Sequence, residues 1–131
     1  MAAPSSPATP TDGVDLAPNA VTVLFFIKRA DHLSLGEFYT WWLETHIPHV
    51  CRDQAPYLAS YQICRPDEAL SVLPGGIADG DLDWDGVAIQ AFRSEADYLA
   101  VYGKKERATT RDTLNHIKRI KRMITRRTAV F

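Results

Sequence analysis

One stretch, AVTVLFFIKR from Ala20 to Arg29, limits the possible folds more than any other. As an extended strand it points Val21, Val23, Phe25 and Ile27 one way and Thr22, Leu24 and Phe26 the other. Alternation of period two is the strand signature, and here both sets are largely apolar. A strand apolar on both faces has to be covered on both. Helices packed on one side of a sheet meet half of that demand, so the second face needs another partner.

The rest of the chain supplies the layers. Tyr57 to Arg65, YLASYQICR, alternates Tyr57, Ala59, Tyr61 and Ile63 with Leu58, Ser60, Gln62 and Cys64 and reads as a second strand. Trp84 to Arg93 reads as a third, and Met123 to Phe131 as a fourth. Ser94-Glu95-Ala96-Asp97 opens a helix that runs to about Tyr102 and breaks at Gly103. Thr109 or Thr110 caps a further helical segment, in which Leu114, Ile117 and Ile120 or Lys121 follow helical spacing. The order strand, helix, strand, strand, helix, strand predicts an α+β fold. Two right-handed crossovers give a split four-stranded antiparallel sheet with its helices on one face. A second copy of the sheet is the simplest cover for the remaining face, which predicts a homodimer with a lumen between the sheets. That lumen would carry Ser60, Gln62 and Gln90, or else Tyr57, Tyr61 and Trp84, depending on register.

Before the first helix lies a segment rich in Pro, Ser, Thr and Ala, which reads as a flexible tail over residues 1–19 with the folded domain over 20–131. It has neither the positive start nor the apolar segment of a secretory signal, and a cytoplasmic location is expected. Residues 66–83, with Gly75, Gly76 and Gly80, read as a long loop. No apolar run reaches membrane-spanning length. The net charge of −1 favours no class of partner, although Lys and Arg crowd the C-terminal third. Nucleic acid is not expected there, because no recognition motif accompanies the basic residues. Cys51 and Cys64 have neither metal nor nucleophile spacing; two buried free thiols are expected, with a disulfide left open by their placement around a turn.

The chemically richest segment is SLGEFYTWWLETHIPHV, Ser34 to Val50. Ser34 with Glu37 forms a capping box, and Phe38, Trp41, Trp42 and Thr45 recur at helical spacing. Trp42 and His46 are four apart and should share a face. Pro48 predicts a helix end near His46 or Ile47. Trp41 and Trp42 cannot both face the same way: one is core, and the other is a candidate to line a cavity for a flat ring.

The spacing Phe38, Trp42, His46, Pro48, the strand ending in Lys28-Arg29 and the S-E-A-D-Y helix start from Ser94 to Tyr98 resemble the EthD-like branch of the dimeric α+β barrel proteins. The resemblance covers Val21 to Phe131 apart from the 66–83 loop. It implies a ferredoxin-like βαββαβ sheet in a dimeric barrel. Relatives of this fold include polyketide cyclases, decarboxylases of aromatic polyketide acids, lactone isomerases, hydroxynitrile lyases and cofactor-free monooxygenases. The residue carried over from the motif is the histidine at its end, His46.

No Gly-rich phosphate loop, H-E-x-x-H or paired C-x-x-C is present, so no cofactor and no metal are expected. The chemistry would be acid–base work on a small hydrophobic or aromatic substrate: cyclisation or decarboxylation, with double-bond isomerisation also fitting. His46 is the first candidate for proton transfer, followed by His49 and by His116, which Asp112 can orient from four residues away. His32 in the loop before the helix is a weaker candidate. Trp42, Tyr61, Gln62, Gln90 and Arg29 are candidate substrate-binding residues, the first for a ring, the next three for a substrate oxygen and Arg29 for a carboxylate. The competing reading is a non-catalytic barrel that binds a hydrophobic ligand or serves as an accessory partner. A weaker third has His46 and His49 holding a heme or a metal.

Overall fold

The computed structural model describes residues 19–71, 83–104, 107 and 109–130. Its elements are β1 (Val21–Arg29), α1 (Leu35–Trp41), a π-helical turn (Trp42–His46), α2 (Ile47–Gln54), β2 (Leu58–Cys64), α3 (Glu68–Ser71), β3 (Gly86–Phe92), α4 (Glu95–Tyr102), α5 (Thr110–His116) and β4 (Ile117–Thr125). The sheet order is β2-β3-β1-β4, antiparallel throughout. This is the split βαββαβ arrangement expected, an α+β fold. The tail over 1–18 and the loop over 72–82 lie outside the described residues; α3 is a helical turn at the start of that loop. Among the described residues no helix is long and apolar enough to cross a membrane.

One sheet face meets the helices. Ile27 and Ala88 pack with Phe38, Trp41 and Trp42 of the long helical arm, and Val21, Val23 and Phe92 pack with Val101 of α4. The opposite face carries Leu24, Phe26, Val87 and Ile89, all half-buried, and exposed Met123. Its centre on β1 and β3 is therefore apolar, as β1 predicted, flanked by Gln62 on β2 and by Arg119 and Lys121 on β4.

The helical arm begins as its sequence demands. Ser34 Oγ accepts the Glu37 amide at 3.1 Å, and Glu37 Oε1 accepts the Ser34 amide at 2.8 Å. The arm does not stop before Pro48, however. The Ile47 amide bonds the Trp42 carbonyl, five residues back, so the helix widens into a π turn over Trp42–His46. Pro48 then occupies the first turn of α2, where no amide is required, and the helix continues to Gln54.

The end of the chain departs further. The expected helical run through Ile120 stops at His116, and β4 occupies Ile117–Thr125 instead of 123–131. Apolar residues three apart are the source of the difference. Lys28 pairs with Arg119 but Arg29 pairs with Ile117, so β4 carries one extra residue there. That bulge turns Ile117 and Ile120 to the same side, and a spacing of three imitates a helix. β-branched side chains then favour the strand. Cys51 and Cys64 are free, as expected, but both are exposed, not buried.

Candidate functional site

Between the sheet and the helical arm lies a cavity of about 60 Å³, lined by His46, Trp42, Gln54, Tyr61, Gln90, Tyr102, Arg107, Thr113 and apolar residues of β1, β3 and β4. It belongs to a single chain. The lumen expected between two sheets is on the other side of the sheet from these residues. Tyr61 and Gln90 are cross-strand partners and so share the helix-facing side. Gln62, next to Tyr61, necessarily points the opposite way, where it pairs with Ile89 and is exposed. Trp84 is also outside the cavity, edge-on to Phe26 at 5.9 Å with the Arg119 guanidinium over its ring at 4.4 Å. Neither sequence grouping holds; the structure combines Gln90 from one with Tyr61 from the other.

The π turn decides where His46 goes. In an ordinary helix it would stack on Trp42, four residues back. A π turn brings the residue five back alongside, and the imidazole stacks on Trp41 at 4.8 Å. His116 also stacks on Trp41, parallel to it at 4.2 Å and 2°. Its indole Nε1 donates to Asp112 Oδ2 at 2.8 Å. His116 Nδ1 lies 2.7 Å from the Asp112 carbonyl and 3.4 Å from its carboxylate. His116 thus braces Trp41 from outside and does not line the cavity.

The electrostatics follow from burial. His46 Nδ1 is buried with no hydrogen-bond partner. Burial disfavours the charged form and holds its pKa down at about 4, against a smaller upward pull from Asp112. His46 is therefore a neutral imidazole at neutral pH. The Tyr61 and Tyr102 phenols are pushed upward, again chiefly by burial, and stay protonated. Tyr102 Oη donates to Gln90 Oε1, and Gln90 Nε2 donates to Gln54 Oε1 at 3.2 Å. A neutral base thus faces two neutral hydroxyls and a pair of amides. Such a set can accept a proton and can donate hydrogen bonds to an oxygen that is gaining charge.

The remaining candidates are elsewhere. His49 is paired with Asp53 at 3.5 Å, and His32 is exposed. Arg29 is committed to Asp85, which is 5% exposed: Nη1 to Oδ1 at 2.7 Å, the backbone amide to Oδ2 at 2.8 Å, with Nε to the Leu33 carbonyl. Its guanidinium holds an internal carboxylate, not a ligand's. Among the described residues no three His, Cys, Asp or Glu side chains converge as a metal-ligand group. Gln54, Tyr102, Arg107 and Thr113 line the cavity without having been singled out. Gln54 lies beyond the helix end that Pro48 predicted, and Arg107 is one basic residue among many. Tyr102, four residues after Tyr98 on α4, was the one with a usable spacing signal.

Beside the cavity is a pocket of about 300 Å³ lined by Asp53, Gln54, Tyr57, Lys104, Arg107 and Thr109 among others. Gln54, Arg107 and Thr109 line both spaces.

Solved structures share this architecture at low identity. The hydroxynitrile lyase of Passiflora edulis is 15% identical with a TM-score of 0.60, covering 88% of this chain and 99% of its own. An ethyl tert-butyl ether D (EthD) family protein from Bacillus halodurans is 15% identical with a TM-score of 0.62, over 83% and 99%. A dimeric protein of unknown function and ferredoxin-like fold from Bacteroides fragilis is 10% identical with a TM-score of 0.55, over 82% and 95%. These likenesses establish the ferredoxin-like fold alone. No curated protein matches the chain significantly. The EthD domain matches residues 30–119, more than half of the sequence, and the chain belongs to the EthD family.

Proposed function

We propose that this chain is a cofactor-independent enzyme in which His46 moves a proton on an aromatic or polyketide-type small molecule, in a cyclisation, a decarboxylation or a related carbon–carbon lyase step. The observation that carries this reading is the His46 side chain in the lining of a cavity that also presents Tyr61, Tyr102 and Gln90. Its Nδ1 is buried without a partner, a cost in stability of the kind that functional sites retain. In a cyclisation or lyase step His46 takes the proton while a phenol donates to the forming oxyanion; in a decarboxylation the proton it takes from a substrate hydroxyl is returned to the carbon that loses carbon dioxide. The Passiflora enzyme adds general support for lyase-type chemistry on this fold. Hydroxynitrile cleavage has the same requirements: the hydroxyl proton goes to a base, a carbonyl forms, and cyanide leaves with the bonding pair.

The test is a turnover panel containing a hydroxynitrile, a hydroxyaryl carboxylic acid and a poly-β-ketone. His46→Ala should lower kcat by at least about 100-fold on whichever is accepted. Unchanged turnover would end the reading. The non-catalytic alternative draws on the Gln54–Gln90–Tyr102 hydrogen bonds, which already satisfy one another as polar groups in a binding chamber do. It predicts that a bound molecule is recovered chemically intact.

The same reading includes homodimerisation through the apolar sheet face. The Bacteroides fragilis protein is a dimer of the same fold, which supports it. Light scattering of the full chain should give twice the 14.7 kDa chain mass, and the doubly charged variant Leu24→Lys with Val87→Lys should give one. A single-chain mass for the native sequence would sink the dimer.

A further inference from the structure

Arg107 stands where the inner cavity meets the outer pocket, which sets it apart from Arg65, Arg119 and Arg122, whose guanidinium groups also lie over aromatic rings. Arg29 is bound to Asp85, Arg126 to Glu95 and the Ala20 carbonyl, and Arg93 to the Leu58 carbonyl. The Arg107 guanidinium instead lies over the Tyr102 ring, 4.6 Å from its centre. Among the described residues no carboxylate or carbonyl accepts from it. The residue is half-buried, and its backbone is fixed by reciprocal bonds with Thr110: amide to Oγ1 and Thr110 amide to carbonyl, both 3.0 Å. A guanidinium has five N–H donors in one plane, and a contact with a ring face uses none of them as a conventional hydrogen bond. Lys104 adds a second cation on the outer side, and the acid there, Asp53, lies 3.5 Å from His49.

We propose that Arg107 receives a carboxylate of the substrate, so that this chain takes aromatic or polyketide-type acids whose uncharged portion reaches inward to His46. The inference rests on the function proposed above and narrows its substrate class to acids whose bound carboxylate is not the group that reacts at His46. A planar two-oxygen acceptor can take two of the guanidinium's N–H donors bidentately. The two spaces adjoin: the inner cavity, about 60 Å³, takes a small reacting group, and the wider pocket, about 300 Å³, takes the remainder. The charge logic agrees. Arg107 is one of the groups that lower the basicity of His46, and an anion seated on Arg107 would cancel that effect as substrate arrives.

Salicylate and salicylamide have nearly the same shape and differ by one charge, which makes them a suitable probe pair. Calorimetric titration of the full chain at pH 7 should show salicylate bound about tenfold more tightly than salicylamide. Arg107→Gln should bring the two within about twofold while leaving salicylamide affinity unchanged, and Arg107→Lys should keep part of the preference. Equal affinities in the native chain, no saturable binding of salicylate at millimolar concentrations, or a preference that survives Arg107→Gln would each overturn the inference. The native comparison stands even if a variant misfolds. The His46 imidazole resonance separates the two proposals: a salicylate preference that leaves this resonance unmoved supports the Arg107 site and counts against the His46 reading. Equal binding that does move it does the reverse.

Discussion

Trp42→Ala is expected to destabilise the chain by about 3–5 kcal/mol, a large part of the margin of an ordinary domain of this size. Trp42 is fully buried and is the largest of the fully buried side chains. It packs against Phe38 at 5.6 Å and Tyr39 at 6.3 Å, with its six-membered ring against Gly86 of β3. A Cβ at position 86 would lie 2.5 Å from Trp42 Cζ3 and Cη2, so the glycine is where the indole meets the sheet. Gly86→Ala should therefore destabilise as well, by about 1–3 kcal/mol, because the ring cannot retreat into a packed core. Trp42→Phe should behave differently. The indole Nε1 is buried with no partner, and phenylalanine removes that unsatisfied donor while keeping most of the apolar contact. Its cost should stay below about 1.5 kcal/mol. Urea unfolding of the three variants measures all of this. A Trp42→Ala loss below 1 kcal/mol, or a Trp42→Phe loss equal to it, would contradict the packing account.

The elements that sequence reasoning placed correctly are those whose signals are local. Ser34 and Glu37 form their capping box because both partners lie within one turn, and Ser94 Oγ accepts the Asp97 amide for the same reason. β1 was legible because its alternation is regular from Val21 to Ile27. What escaped depended on deviations by a single residue. The π turn moves the partner of His46 from Trp42 to Trp41, although both spacings are present in the same letters. The bulge opposite Arg29 lets Ile117 and Ile120 share a side, so a strand resembles a helix. The shift between Leu58 and Ser60 on β2 helps set which of Tyr61 and Gln62 meets the helices. Each is a choice made by packing between segments far apart in the chain, and periodicity within one segment cannot contain it.

The composition of the cavity is a consequence of those deviations. Because the arm continues past Pro48, Gln54 reaches Gln90; because the sheet places Gln90 on the helix side, Tyr102 of α4 reaches it too. Three elements thus meet in one hydrogen-bonded group. His46 sits beside this group yet outside its bonding, and its ring position is set by the Trp41 stack that Asp112 and His116 hold in place. Position without a hydrogen bond leaves the imidazole oriented and still available.

That availability should appear as a loss of stability in acid. Between pH 6.5 and about 4, the native chain should lose about 3 kcal/mol because of His46 alone. In the unfolded chain the imidazole titrates near 6.5; in the folded chain burial holds it at about 4. Across that window the unfolded state binds the proton and the native state does not, so protons favour unfolding. The contribution is fully present above pH 6.5, falls as the pH drops, and is gone below about 4. His46→Gln replaces the titrating ring with a neutral amide and should remove this part of the slope. Carboxylates held low in the native state, such as Asp31 beside Lys118 and Glu37 in its capping box, titrate in both proteins and cancel in the comparison. Urea unfolding of both at pH 7 and pH 4 gives the difference of differences directly. Equal acid losses would mean that the ring is hydrated in the native chain, and a hydrated imidazole would also lose the buried, unpartnered nitrogen that supports the catalytic reading.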